Sequence, residues 1–138
     1  MLVKDFKLHD VSDFPIVRLC GRDLPPGYGP DWIAEMEALL ARGQRFALVF
    51  PNSAENEPHD DQKMRVVWLK QNKSRLAELC AGIFGVEPNQ AARLLKRAQG
   101  LVVAPAFGLT FRVAATQEQA EALARLAVAG ASVPDDAE

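Results

Sequence analysis

The chain has 138 residues, 49% of them hydrophobic and 25% charged, with a formal net charge of −2. That balance is too apolar for a disordered chain and too mixed for a fibrous repeat, and the length suits one domain that buries its core without metal or disulfide staples. No apolar run approaches the roughly 18 residues of a membrane span, and residues 1–7 (MLVKDFK) lack the basic-then-apolar pattern of a secretory signal, so a soluble cytoplasmic protein is expected. Two cysteines, Cys20 and Cys80, are far apart and outside any CxxC or Cys/His cluster, which reads as two buried thiols, not as a zinc site or disulfide framework.

Phe6, Lys7, Leu8 and His9 alternate apolar and polar, and 11–13 supply a turn before an apolar run at 15–20, so two strands forming a hairpin open the domain. His9, beside Asp10 in this amphipathic strand, reads as a surface side chain. Gly21 and the PPGYGP run at 25–30 interrupt regular structure, after which Pro30 suits a first helical position and Asp31 the positive end of a helix dipole. The helix extends to about Arg42. Trp32, Ile33, Met36, Leu39 and Leu40 recur along it at three and four residues, and Gly43 stands where a left-handed cap belongs.

The segment RFALVF at 45–50 is short, apolar and stopped by Pro51, as expected of a strand buried on both faces at the centre of a sheet. The acidic stretch 52–61 (NSAENEPHDD) is too polar to pack and reads as a surface loop, with Asp60 or Asp61 capping the next helix. That helix, expected to be the longest element, runs to about Leu79. It turns Met64, Val67, Trp68, Leu76, Leu79 and Cys80 inward and leaves Lys63, Lys70, Lys73 and Arg75 in water.

A strand at 81–86 is closed by Glu87 and Pro88, and Asn89 caps a helix containing Ala91, Ala92, Leu94, Leu95 and Ala98, which Gly100 ends or weakens. A last strand at 109–114 leads into a capping box, TQEQ at 116–119, and a terminal helix to about Ala127. The predicted architecture is α/β: a mixed sheet of about five strands with right-handed crossovers and about four packed helices. It forms a single domain over 1–129, with 130–138 as a flexible C-terminal tail.

With this element order, three blocks carry a family resemblance: RFALVF at 45–50, WLKQNKSRLAELCAGIF at 68–84 and FRVAATQEQAEAL at 111–123. The chain resembles the STAS-like domains, the family of anti-sigma-factor antagonists and sulfate-transporter tails, and most of all small stand-alone bacterial proteins of that type. The resemblance spans nearly the whole chain and rests on packing motifs. It implies a STAS-like fold and a non-enzymatic regulatory module that binds a protein partner. In regulatory members a Ser or Thr at the start of the helix after the central strand is phosphorylated. Here Ser53 is the only serine in that loop, without the Asp-x-Ser-Gly type of signature, so Ser53 is the candidate phosphorylation position and a solvated turn serine is the competing reading. Lipid-binding relatives imply the alternative, a small-ligand or lipid pocket between sheet and helices, which needs a cavity beyond what Trp68, Phe84, Phe107 and Phe111 fill.

Other chemistry is thinly supplied. Glu55, Glu57, His59, Asp60 and Asp61 lack metal-motif spacing and are explained by helix capping, so no metal and no cofactor are expected. Cys80 with His59 is the only nucleophile and base pairing worth naming, and a thiol in an apolar segment is inert; no catalytic residues are assigned. The PPGYGP loop lacks the Walker and GxGxxG patterns. Tyr28 and Trp32 read instead as an exposed aromatic interaction surface, also open to homodimer formation. Between positions 61 and 100 stand eight basic and three acidic residues, and Lys70 and Lys73 are the candidate cationic contacts for a protein partner. A pI near 5.7 and the absence of interleaved aromatics argue against nucleic acid.

Overall fold

The structure is a computed structural model and describes residues 6–19, 27–50, 59–107 and 109–134. Cys20 and Ser53 lie outside the described residues, as do the side chains of His59 and Phe107. Five strands, β1 (His9–Asp10), β2 (Ile16–Leu19), β3 (Phe46–Phe50), β4 (Cys80–Val86) and β5 (Phe111–Ala114), form one sheet in sequential order. β1 pairs antiparallel with β2, and every later pair is parallel. The helices are α1 (Gly29–Ala41), α2 (His59–Gln71), α3 (Lys73–Leu79), α4 (Gln90–Phe107) and α5 (Gln117–Val128). The α/β class and the mixed five-stranded sheet agree with expectation, and β3 is its middle strand.

Strand alternation divides the apolar side chains between two cores. Phe46 and Leu48 of β3, with Val17 and Leu19 of β2, face Trp32, Met36 and Leu39 of α1, Trp68 of α2 and Leu76 of α3. Ala47 and Val49, with Phe84 and Ala114, face Ala120, Leu123, Ala124 and Ala127 of α5. The first layer is built from bulky rings and the second largely from alanines.

Local chemistry explains most boundaries. Pro30 opens α1 with Asp31 in its first turn, and Gly43 adopts a φ of +65°, where a side chain would be strained. Asn89 accepts from the N–H of Ala92 at 2.9 Å, and Thr116 caps α5 by accepting from Gln119 at 3.2 Å.

Three expectations are revised. The long helix after β3 is two helices, broken at Asn72, which takes φ −116° and whose side-chain amide joins its own backbone N–H on the Trp68 carbonyl, at 2.9 and 3.1 Å. Cys80 consequently begins β4 and does not end a helix. Gly100 does not stop α4, which continues to Phe107; a single glycine costs a helix only about 1 kcal/mol. Of the segment expected as a loose tail, residues as far as Pro134 are held: Arg112 donates to the carbonyls of Val133 and Pro134, and Val133 packs on the α5 core.

Phe84 is fully buried under α5, whereas Leu94 on α4 is 54% exposed. Phe84→Ala should lower urea-unfolding stability by about 3–5 kcal/mol, and Leu94→Ala should change it by less than about 0.5 kcal/mol.

Candidate functional site

The carboxyl ends of the parallel strands are where open α/β sheets ordinarily carry their sites. In this chain the α1 side of that edge is a polar cluster inside the ring-rich core. Glu35 stands on α1 three residues after Trp32 and four before Leu39, on the buried stripe, and is 3% exposed. Its carboxylate accepts from the backbone N–H groups of Lys7, Leu8 and His9 and lies 3.0 Å from His9 Nδ1. Burial works to raise the Glu35 carboxyl, but the hydrogen bonds from His9 and the three amides outweigh it and hold the group below its ordinary range.

His9 is therefore not the surface side chain that strand alternation suggested. It is 1% exposed, because the carboxylate on α1 draws β1 and the residues before it onto the helix. Among the described residues its Nε2 has no hydrogen-bond partner, and neither does Nε1 of Trp32, whose ring centroid is 6.0 Å away.

Tyr28 and Trp32 were expected to form an exposed aromatic surface; at 3% and 2% exposure they do not. The reason lies in Asp61, a residue expected to cap its own helix. Asp61 is buried and accepts from the N–H groups of Gly27 at 2.9 Å and Gly29 at 2.8 Å, tying the start of α1 to α2. Gly29 is required there, since a Cβ would come within 2.9 Å of Met64 Sδ and 3.0 Å of Asp61 Oδ1. With the helices drawn together, Trp32 meets Trp68 edge-on at 5.5 Å, Arg65 lies over the Trp32 ring, and the Arg65 Nε donates to the Tyr28 hydroxyl.

Outside this stack, Ile33, Met64, Val67 and Trp68 wall an open groove of about 430 Å³ between α1 and α2, completed by Asp60, Lys63 and Gln71. Met64 and Val67, expected to face the core, are exposed along it, because Asp61 and Trp68 occupy the inward face of α2. Glu37 of α1 braces the far side, accepting from Trp68 Nε1 and from Arg75, each at 3.0 Å. Lys70 and Lys73 are exposed beyond the groove and pair with no carboxylate among the described residues. The structure thus keeps the two lysines at the surface and removes the two aromatics from it.

Glu55, Glu57 and the side chain of His59 lie outside the described residues. Among the described residues no group of three or more His, Cys, Asp or Glu gathers as a metal site. Burial pushes the Cys80 thiol up to about 12, and its Sγ donates to the Gly82 carbonyl, so it is inert as a nucleophile. Among the described residues no helix is long and apolar enough to cross a membrane.

The buried Glu35 and His9 pair escaped sequence reading although a signal existed: an acidic residue in the middle of an apolar helical stripe needs buried donors. On the opposite face, Arg18 of β2 grips Glu121 of α5 at 2.7 and 2.9 Å and Asp13 at 2.6 Å. The Arg18 hydrogen bond, opposed by burial and aided by Gln117, lowers the Glu121 carboxyl to about 2.

Glu35→Ala should cost about 3–5 kcal/mol in urea unfolding, because three amides and an imidazole lose their shared acceptor. Both carboxyls titrate lower in the folded chain than in the unfolded one, so their stabilisation is complete above about pH 5 and is lost as the pH falls below 4.5, for Glu121 down toward about 2. For Glu121, partly reached by solvent, this amounts to about 1–3 kcal/mol, and Glu121→Gln should flatten the acid limb of the stability curve by that amount. Comparison with protein-family models, curated proteins and solved structures returned no match for this chain, so its function is argued from the groove, the charges and the element order.

Proposed function

We propose that the protein is a non-enzymatic regulatory module of STAS-like type, working in the cytoplasm of a bacterium, that seats an acidic amphipathic helix of a partner protein between α1 and α2. The observation that carries this reading is the open groove walled by Ile33, Met64, Val67 and Trp68, with Lys63 at its side and exposed Lys70 and Lys73 beyond it. An apolar trough between two helices accepts the apolar stripe of a third, and the rim charge selects its polar face. Lys70 follows Val67 by three residues on the adjoining helical surface, so a partner helix resting on Val67 brings its carboxylates within reach. Asp60 at the beginning of α2 is the opposing charge and orients the partner, its acidic side toward Lys70 and Lys73.

The element order and the three sequence blocks support the STAS-like assignment, and the inert Cys80 supports a role without covalent chemistry.

The test uses the full chain as bait in a lysate of the source cell, in parallel with Val67→Asp and with Lys70→Glu/Lys73→Glu. A stoichiometric partner should be retained by the wild type, lose at least tenfold in affinity with either variant and dissociate more readily at high salt. Its binding segment, mapped by proteolysis, should be net acidic. Equal capture by all three baits, or sedimentation showing that a second copy of this chain occupies the groove, overturns the reading.

A further inference from the structure

Two buried polar atoms on neighbouring rings, His9 Nε2 and Trp32 Nε1, have no hydrogen-bond partner among the described residues. A buried polar atom with nothing bonded to it is costly, and native interiors rarely leave one, still less two side by side. Their chemistry is complementary. The indole N–H only donates. On His9, the Glu35 carboxylate takes a bond from Nδ1 while accepting three backbone amides, and it has no proton to offer in return. The Nδ1 position must then carry the hydrogen, which leaves Nε2 of the neutral ring as a lone-pair acceptor.

A donor and an acceptor on neighbouring rings are both satisfied by a group that accepts and donates through one atom, which is a hydroxyl oxygen. An anion would meet the lone pair of Nε2 and the nearby Glu35 charge without compensation, and a carbonyl would satisfy Trp32 alone. The two ring centroids lie 6.0 Å apart, near enough for one oxygen at hydrogen-bond distance to serve a nitrogen on each ring.

We infer that the interior between β1 and α1 binds one hydroxyl oxygen, donating to His9 Nε2 and accepting from Trp32 Nε1, supplied either by a buried water or by the alcohol group of a small neutral ligand. The Trp32 ring meets Trp68 edge-on, and Trp68 walls the α1/α2 groove, so the oxygen also fixes the orientation of that wall. The inference stands independently of the partner proposed for the groove.

Nuclear magnetic resonance of the 15N-labelled full chain at neutral pH tests it. The long-range spectrum of His9 should report the neutral tautomer protonated at Nδ1. The Trp32 indole proton, identified by its loss in Trp32→Phe, should be shifted downfield as a hydrogen-bonded donor. A water source gives a cross-peak from that proton to a bound water and no added mass in native mass spectrometry. A ligand source gives an added mass that denaturation releases, and an indole cross-peak to it. An imidazolium at His9, the opposite tautomer, or an unshifted indole proton with neither cross-peak overturns the inference. The wild-type spectra decide the matter even if Trp32→Phe fails to fold.

Discussion

β3 has no face to spare for water. Phe46, Ala47, Leu48 and Val49 are all buried, so each side of the strand must be covered by its own layer of helices, and the rest of the molecule is arranged to provide them. The alternation of the strand sends Phe46 and Leu48 toward α1, α2 and α3, and Ala47 and Val49 toward α5. Small residues on the second face permit a single closely packed helix. Large rings on the first hold the helices of a thicker layer, and that thickness is what makes room for buried polar chemistry and for a groove between α1 and α2.

Within the thicker layer, a charge is held where charges are expensive. Glu35 is tolerated because four donors converge on it, three of them backbone amides that would otherwise be unpaired at the ragged beginning of the sheet. The carboxylate therefore does for residues 7–9 what a longer β1 would have done. β1 itself contributes only two residues of ladder, His9 and Asp10, so its position depends on the helix more than on its neighbour strand. On the other side of the sheet Arg18 plays a matching part, linking β2 to α5 across most of the length of the chain.

The surface of α2 follows from how its inner face is occupied. Asp61 and Trp68 turn inward, one to the amides before α1 and the other to the Trp32 ring, and this leaves Met64 and Val67 looking along the groove. A helix with apolar side chains on a wet face and cations along the same face has a surface suited to another chain. The interior aromatic stack and the exterior groove share Trp68, so what happens inside the core reaches the site by one ring contact.

How much of this was legible in the chain depends on the range of the interaction responsible. Local rules identified β3 from its apolar run, the caps at Asn89 and Thr116, the proline opening of α1 and the glycine after it, because each involves neighbours within a turn. The same rules placed Lys70 and Lys73 at the surface. They misplaced Tyr28, Trp32 and His9, whose burial depends on Asp61 and Glu35, residues that are respectively 33, 29 and 26 positions from them. They also merged α2 with α3, since periodicity cannot weigh an asparagine that turns on its own helix. Sequence alone determined which segments become helix or strand and that the centre of the sheet is dry. Only the tertiary structure decided which polar groups go inside with it, because a buried carboxylate is admissible only where distant parts of the chain bring it donors.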